Sequence, residues 1–62
     1  MQFKVSTIDS NDSAEKLKQT ILTSEPEAEV EVDSESKVVT INSEASEETF
    51  KQLIVAAGHK LN

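Results

Sequence analysis

The stretch Ala28-Glu29-Val30-Glu31-Val32-Asp33-Ser34-Glu35-Ser36-Lys37-Val38-Val39-Thr40-Ile41 decides the fold. Its first half has a period of two. Ala28, Val30 and Val32 point one way and Glu27, Glu29 and Glu31 the other, which predicts a half-buried strand. Asp33-Ser34-Glu35-Ser36 is a turn, and Lys37–Ile41 is a second strand with Val39 and Ile41 facing inward. So short a connection makes the pair an antiparallel hairpin.

Working outward, the period changes on both sides of the hairpin. Upstream, Ala14, Leu17, Ile21 and Leu22 fall near one helical face. Asp12 with Glu15 fits a capping box, while Ser10 and Ser13 compete as N-caps. The helix ends near Ser24, because Pro26 forces Glu25 toward an extended backbone. Before it, Phe3, Val5 and Thr7 alternate with polar residues as a first strand. Downstream, Ser46-Glu47-Glu48 starts a second helix whose stripe is Phe50, Leu53, Ile54 and Ala57. Acidic residues suit its first turn, and Gly58 allows the left-handed backbone that ends it. His59–Asn62 is read as a short last strand with Leu61 inward.

The order strand, helix, strand, strand, helix, strand predicts an α+β, ferredoxin-like βαββαβ sandwich spanning residues 1–62 as one domain. A four-stranded antiparallel sheet would carry both helices on one face. Its expected core is Phe3, Val5, Leu17, Ile21, Val30, Val32, Val39, Ile41, Phe50, Leu53, Ile54 and Leu61.

Composition narrows the chemistry. The 62 residues include six Lys, no Arg and twelve acids, for a net charge of −6. Clustered cations drive nucleic-acid and anionic-membrane binding, so neither partner is expected. With no Cys, the chain offers no disulfide, no thiolate ligand and no Cys nucleophile. No apolar run reaches the length of a membrane span or signal segment, so a soluble, cytoplasmic monomer is expected.

Three segments together resemble the heavy-metal-associated (HMA) domain family, which includes small copper chaperones and the amino-terminal domains of copper-exporting ATPases. They are the loop Thr7–Glu15, the strand Ala28–Asp33 and the closing Ala56-Ala57-Gly58-His59. The family's hallmark is an M-x-C-x-x-C loop between the first strand and first helix, where two thiolates hold Cu(I). Ser10 and Ser13 stand at the positions of those cysteines, and Ile8 stands where Met is usual. The resemblance implies transfer of copper or another soft metal to a metal-binding domain of a copper-transporting ATPase. The substitutions imply that the loop is degenerate, because a hydroxyl oxygen is a poor and protonated ligand for a soft ion. No cofactor is therefore expected, and copper(I) enters through the resemblance alone. Serine is the closest isostere of cysteine, so deliberate replacement in a copper-binding parent stays open beside natural divergence. Asp9 and Asp12 favour divergence. A metal-free interaction module that keeps the docking surface is the alternative reading.

Each candidate site also has a structural reading. Asp9, Asn11, Asp12 and the two serines are oxygen donors of the kind hard cations accept, yet they serve equally as helix-capping residues, the reading preferred here. His59, the single imidazole, could be an auxiliary metal ligand, since the family resemblance implies a His near the metal in this loop. Alone it falls short of the three or four ligands zinc needs, and a polar residue after a helix end explains it. Glu25, Glu27, Glu29 and Glu31 form a solvated strand face that discourages edge pairing. Lys16, Lys18 and Lys51 lie on helices, and the resemblance implies docking lysines near the loop. The expected docking surface is the loop 8–13, the start of the first helix and the 57–60 loop.

An enzyme is not expected. Acylphosphatases of this architecture need an arginine for phosphate, and Ser10 and Ser13 lack a His–Asp arrangement for activation. RNA-reading sheets need exposed aromatics and basic flanks, which are missing.

Overall fold

A computed structural model describes residues 1–61. In chain order the elements are β1 (Gln2–Lys4), α1 (Asn11–Ser24), β2 (Glu29–Asp33), β3 (Val38–Asn42) and α2 (Glu47–Ala56). The strands form one antiparallel sheet in the order β1-β3-β2, with Phe3 opposite Val39 and Val30 opposite Ile41. The inward side chains of this register meet the inner faces of both helices. Phe3, Val5, Ile8, Leu17, Ile21, Val39, Ile41, Phe50 and Ile54 are buried together in one cluster. Small aliphatics thus build the core around one fully enclosed aromatic ring, Phe50.

Local chemistry explains the element ends. Ser10 takes an extended backbone and its side chain accepts from Ser13 N, which settles the competition for the α1 N-cap. Ser46 does the same for α2 through Thr49 N. Ala57 is the C-cap of α2, and Gly58 follows at φ 92°, a conformation open to glycine. In the hairpin, Asp33 Oδ1 accepts from the amides of Glu35 (2.9 Å) and Ser36 (3.3 Å). The turn then closes through Lys37 at φ 60°, so β3 begins one residue later than its apolar pattern predicts.

These amides hold the Asp33 carboxyl below its ordinary pKa, with the Glu35 amide the larger cause and Ser36 second. A lowered folded pKa means the carboxylate supports the turn fully above the ordinary aspartate range. That support is lost as pH falls through the lower folded value. The Glu35 and Ser36 amide resonances are therefore expected to shift together on acidification below pH 4, roughly the unperturbed aspartate value. In Asp33→Asn the same resonances should stay flat across that window. A flat response in the unmodified chain would refute the carboxylate cap.

The expected four-stranded sheet is corrected among the described residues. Three strands are present, and the expected fourth is represented by a single bridge, Val5 to Leu61. Its backbone donors go elsewhere: His59 N bonds Ile54 O (3.2 Å) and Lys60 N bonds Thr7 Oγ1 (3.0 Å). The first cap extends the end of α2, and the second spends an amide on a side chain. Asn62, included in that strand by the sequence reading, lies outside the described residues.

Thr7 is likewise not a strand residue but part of the turn after β1, with Ile8 N bonded to Val5 O (3.2 Å). Val32, Leu53 and Leu61, expected as core, are half-buried at its margin. Ile8, Ala14 and Ala28 are buried instead. β2 is an edge strand whose Glu29 and Glu31 are exposed, while Glu27, read from the sequence as part of this strand face, is exposed in the turn before it.

Candidate functional site

Since β1 and β2 each pair antiparallel with β3, they run parallel to one another. Three connections therefore gather at one end of the sandwich: the β1–α1 loop, the β2–β3 turn and the loop after α2. Hydrogen bonds tie them together. Ser34 Oγ bonds Asn11 Oδ1 (2.7 Å), Lys37 Nζ donates to Ile8 O (2.8 Å), and Thr7 joins the last loop through Lys60 N.

A shallow cleft of about 360 Å³ lies at this end, bordered by Asp9, Ser10, Asp12, Ser13, Lys16 and His59. Ser10 is exposed, while Ser13 and His59 are half-buried. All three sequence-predicted site residues thus reach one depression, at the N-terminus of α1. Their polar atoms are already engaged in part. Ser10 Oγ accepts from Ser13 N at 3.1 Å, as an N-cap does. His59 Nδ1 lies 2.8 Å from Thr7 Oγ1. The hydroxyl donates to the ring or the ring to the hydroxyl according to tautomer, and either arrangement fixes the imidazole plane.

The other candidates separate. Asn11 faces the β2–β3 turn through Ser34 and is not on the cleft. Lys18 lines a different groove with Glu15 and Glu31, and Lys51 pairs with Glu47 (3.5 Å) toward the start of α2. Lys16 is the helical lysine beside the cleft. Among the described residues, no three His, Cys, Asp or Glu side chains are grouped to hold a metal ion. The cleft's donors are hydroxyl, carboxylate and imidazole. They do not fit Cu(I), a soft ion that prefers sulfur, and the chain contains no cysteine.

Two residues of this end escaped the sequence reading. Thr7 is hidden in an apparent strand alternation, where a hydroxyl reads as an ordinary β-branched residue. Lys37 reads as the first residue of a strand, and nothing in its neighbours signals a left-handed backbone.

The fold and this end define a small ferredoxin-like α+β domain with a shallow polar cleft at the N-terminus of its first helix. No family model matches the chain, and no curated protein matches it. Solved structures do. The copper chaperone Atx1 from Synechocystis PCC6803 in its Cu2 form is 35% identical at TM-score 0.91, over 100% of this chain and 98% of that one. A cyanobacterial copper metallochaperone, ScAtx1, is 35% identical at TM-score 0.80, over 100% and 97%. A gold binding protein is 26% identical at TM-score 0.91, over 100% and 98%. The chain belongs to the Atx1-like copper chaperone family.

Proposed function

We propose that this chain is a copper-chaperone-type domain with a degenerate metal loop. It keeps the docking end of the family and holds little or no Cu(I). It is not an enzyme, and it acts as a cytoplasmic monomer. Its partner is a metal-binding domain of a copper-transporting ATPase. One observation carries the reading: Ser10 and Ser13 border the same cleft as His59, at the N-terminus of α1, in a chain without cysteine. The position suits a soft-metal site while the side chains do not. Membership in a family whose solved members include copper chaperones supports the docking role. No helix among the described residues is long and apolar enough to cross a membrane.

Two measurements test this. In a Cu(I) titration against a competing chelator, the chain is expected to leave the metal with the competitor. Tight binding would overturn the degenerate loop. Chemical-shift mapping against an ATPase-type metal-binding domain should move residues 8–13, Lys16 and 57–60. Exposed ion pairs are screened over about 8 Å at physiological salt, so added salt should weaken the shifts. Shifts confined to the opposite end, around Glu27 and Glu44, would reject the docking surface. Docking with weak copper transfer marks a residual chaperone, whereas docking with none marks the metal-free interaction module.

A further inference from the structure

Lys37 combines two features that a turn residue seldom needs together. Its backbone is left-handed, with φ 60°, at a hairpin position where glycine carries no penalty. A lysine there bears a strain of its own, and such strain persists where the surroundings over-determine it. Its side chain is half-buried and turned across to the neighbouring loop. Nζ donates to Ile8 O at 2.8 Å and approaches Ser6 O at 3.4 Å, while Lys37 O accepts from Val5 N at 2.8 Å. One residue therefore holds the β1–α1 connection by main chain and side chain at once. The carbonyls of Ser6 and Ile8 face the same way because the tight turn from Val5 O to Ile8 N folds the segment back on itself. A cation with several donors satisfies two such oxygens from one point.

We propose that Lys37 is a positioning residue for the functional loop: its ammonium, bonded to Ile8 O and Ser6 O, sets the backbone that delivers Asp9 and Ser10 to the cleft. The inference deepens the degenerate-loop reading and rests on it only for what the loop does. A loop that presents side chains to a cleft is shaped by its supporting shell, and bonds from a charged donor to backbone oxygens are among the stronger ways to do so. The arrangement also assigns the cations of this end. Lys37 is committed to carbonyls, whereas Lys16 borders the cleft and Lys60 is exposed in the loop beside it.

The test is amide exchange on the full chain without metal, comparing Lys37→Met, Lys37→Gly and Lys37→Arg. Methionine keeps the stem and loses the donors. Glycine relieves the backbone and loses the side chain. The probe is the Ile8 amide, bonded to Val5 O, and the reference is the buried Ile54 amide of α2. In the Met and Gly variants, Ile8 should exchange about tenfold faster relative to Ile54, the scale of losing a charge-assisted bond. Lys37→Arg should recover most of the protection. Faster exchange at Ile8 and Ile54 alike would show a general stability effect and overturn the proposal, as would an unchanged Ile8. A second readout uses Ser10→Cys/Ser13→Cys, where adding Lys37→Met should weaken Cu(I) binding about tenfold with the melting temperature kept within a few degrees. Unchanged affinity there would overturn the positioning role at the site. The exchange result requires no copper, so it stands or falls separately from the degenerate-loop reading.

Discussion

Replacing Ser10 and Ser13 together by cysteine is expected to convert a chain that releases Cu(I) to a modest thiol competitor into one that retains it, a gain of several orders of magnitude. Residues i and i+3 on a first helical turn are neighbours, and both positions border one cleft. A helix N-terminus lowers thiol pKa, so both sulfurs would be favoured as the thiolates that bind metal. Ser13 N already donates to the side chain at position 10, and a thiolate there would receive the same bond. Ser10→Cys alone should recover far less, because two-coordinate binding needs both sulfurs. His59→Ala should be nearly silent in the serine form and modest in the double-cysteine form, since the ring already pairs with Thr7. A Cu(I) competition assay across these proteins checks the series. Equal affinity for the double variant and the unmodified chain would dismiss the helix N-terminus as the metal position.

Phe50→Ala is expected to remove about a third or more of the protein's folding stability at 25 °C. The ring is fully buried, deeper than that of Phe3, and belongs to the single core cluster. Truncating a buried Phe costs about 3–5 kcal/mol. A domain of this size has only about 3–9 kcal/mol to lose, at the usual stability per residue. Far-UV circular dichroism with a urea titration reads the outcome. Val55→Ala, at a position 57% exposed, is the control and should change stability by less than about 0.5 kcal/mol. A Phe50→Ala midpoint as high as that of the control would remove Phe50 from the centre of the core. Leu53 shares the helical stripe with Phe50 but is half-buried, so its truncation should cost less.

The contrast between Phe50 and Leu53 shows what a single sequence carries. Periodicity located both helices, the hairpin and the face each buries, because a helix or strand must turn its apolar side to the core wherever the chain goes next. It could not grade residues along a stripe, since depth depends on what the neighbouring element presents. Leu53 and Val32 therefore read as core and lie at its margin, while Ala14 and Ala28, placed on inward faces but not in the expected core, lie within it. Ile8 reads as part of a polar stretch by its neighbours and is buried because the tight turn after Val5 folds it inward.

The site was legible where residue type alone marks chemistry. Ser10, Ser13 and His59 stand out by alignment with a motif, and the fold carries all three to one cleft. The groups that hold them do not stand out. Thr7 and Lys37 act through hydrogen bonds across 52 and 29 positions of sequence, and no local pattern encodes a partner that distant. The last strand failed for a related reason. His59 and Lys60 have strand-compatible spacing, but their amides are claimed by Ile54 O and the Thr7 hydroxyl.

The acidic border of β2 has a colloidal consequence. Glu29 and Glu31 are exposed along an edge strand and Glu27 in the turn before it, and in two copies meeting there these carboxylates would be brought close together. Their mutual repulsion opposes pairing of two copies edge to edge. Added salt screens exposed charges beyond about a Debye length, while the open edge remains. Raised ionic strength is therefore expected to favour self-association along this edge, and dilute salt to keep the protein dispersed.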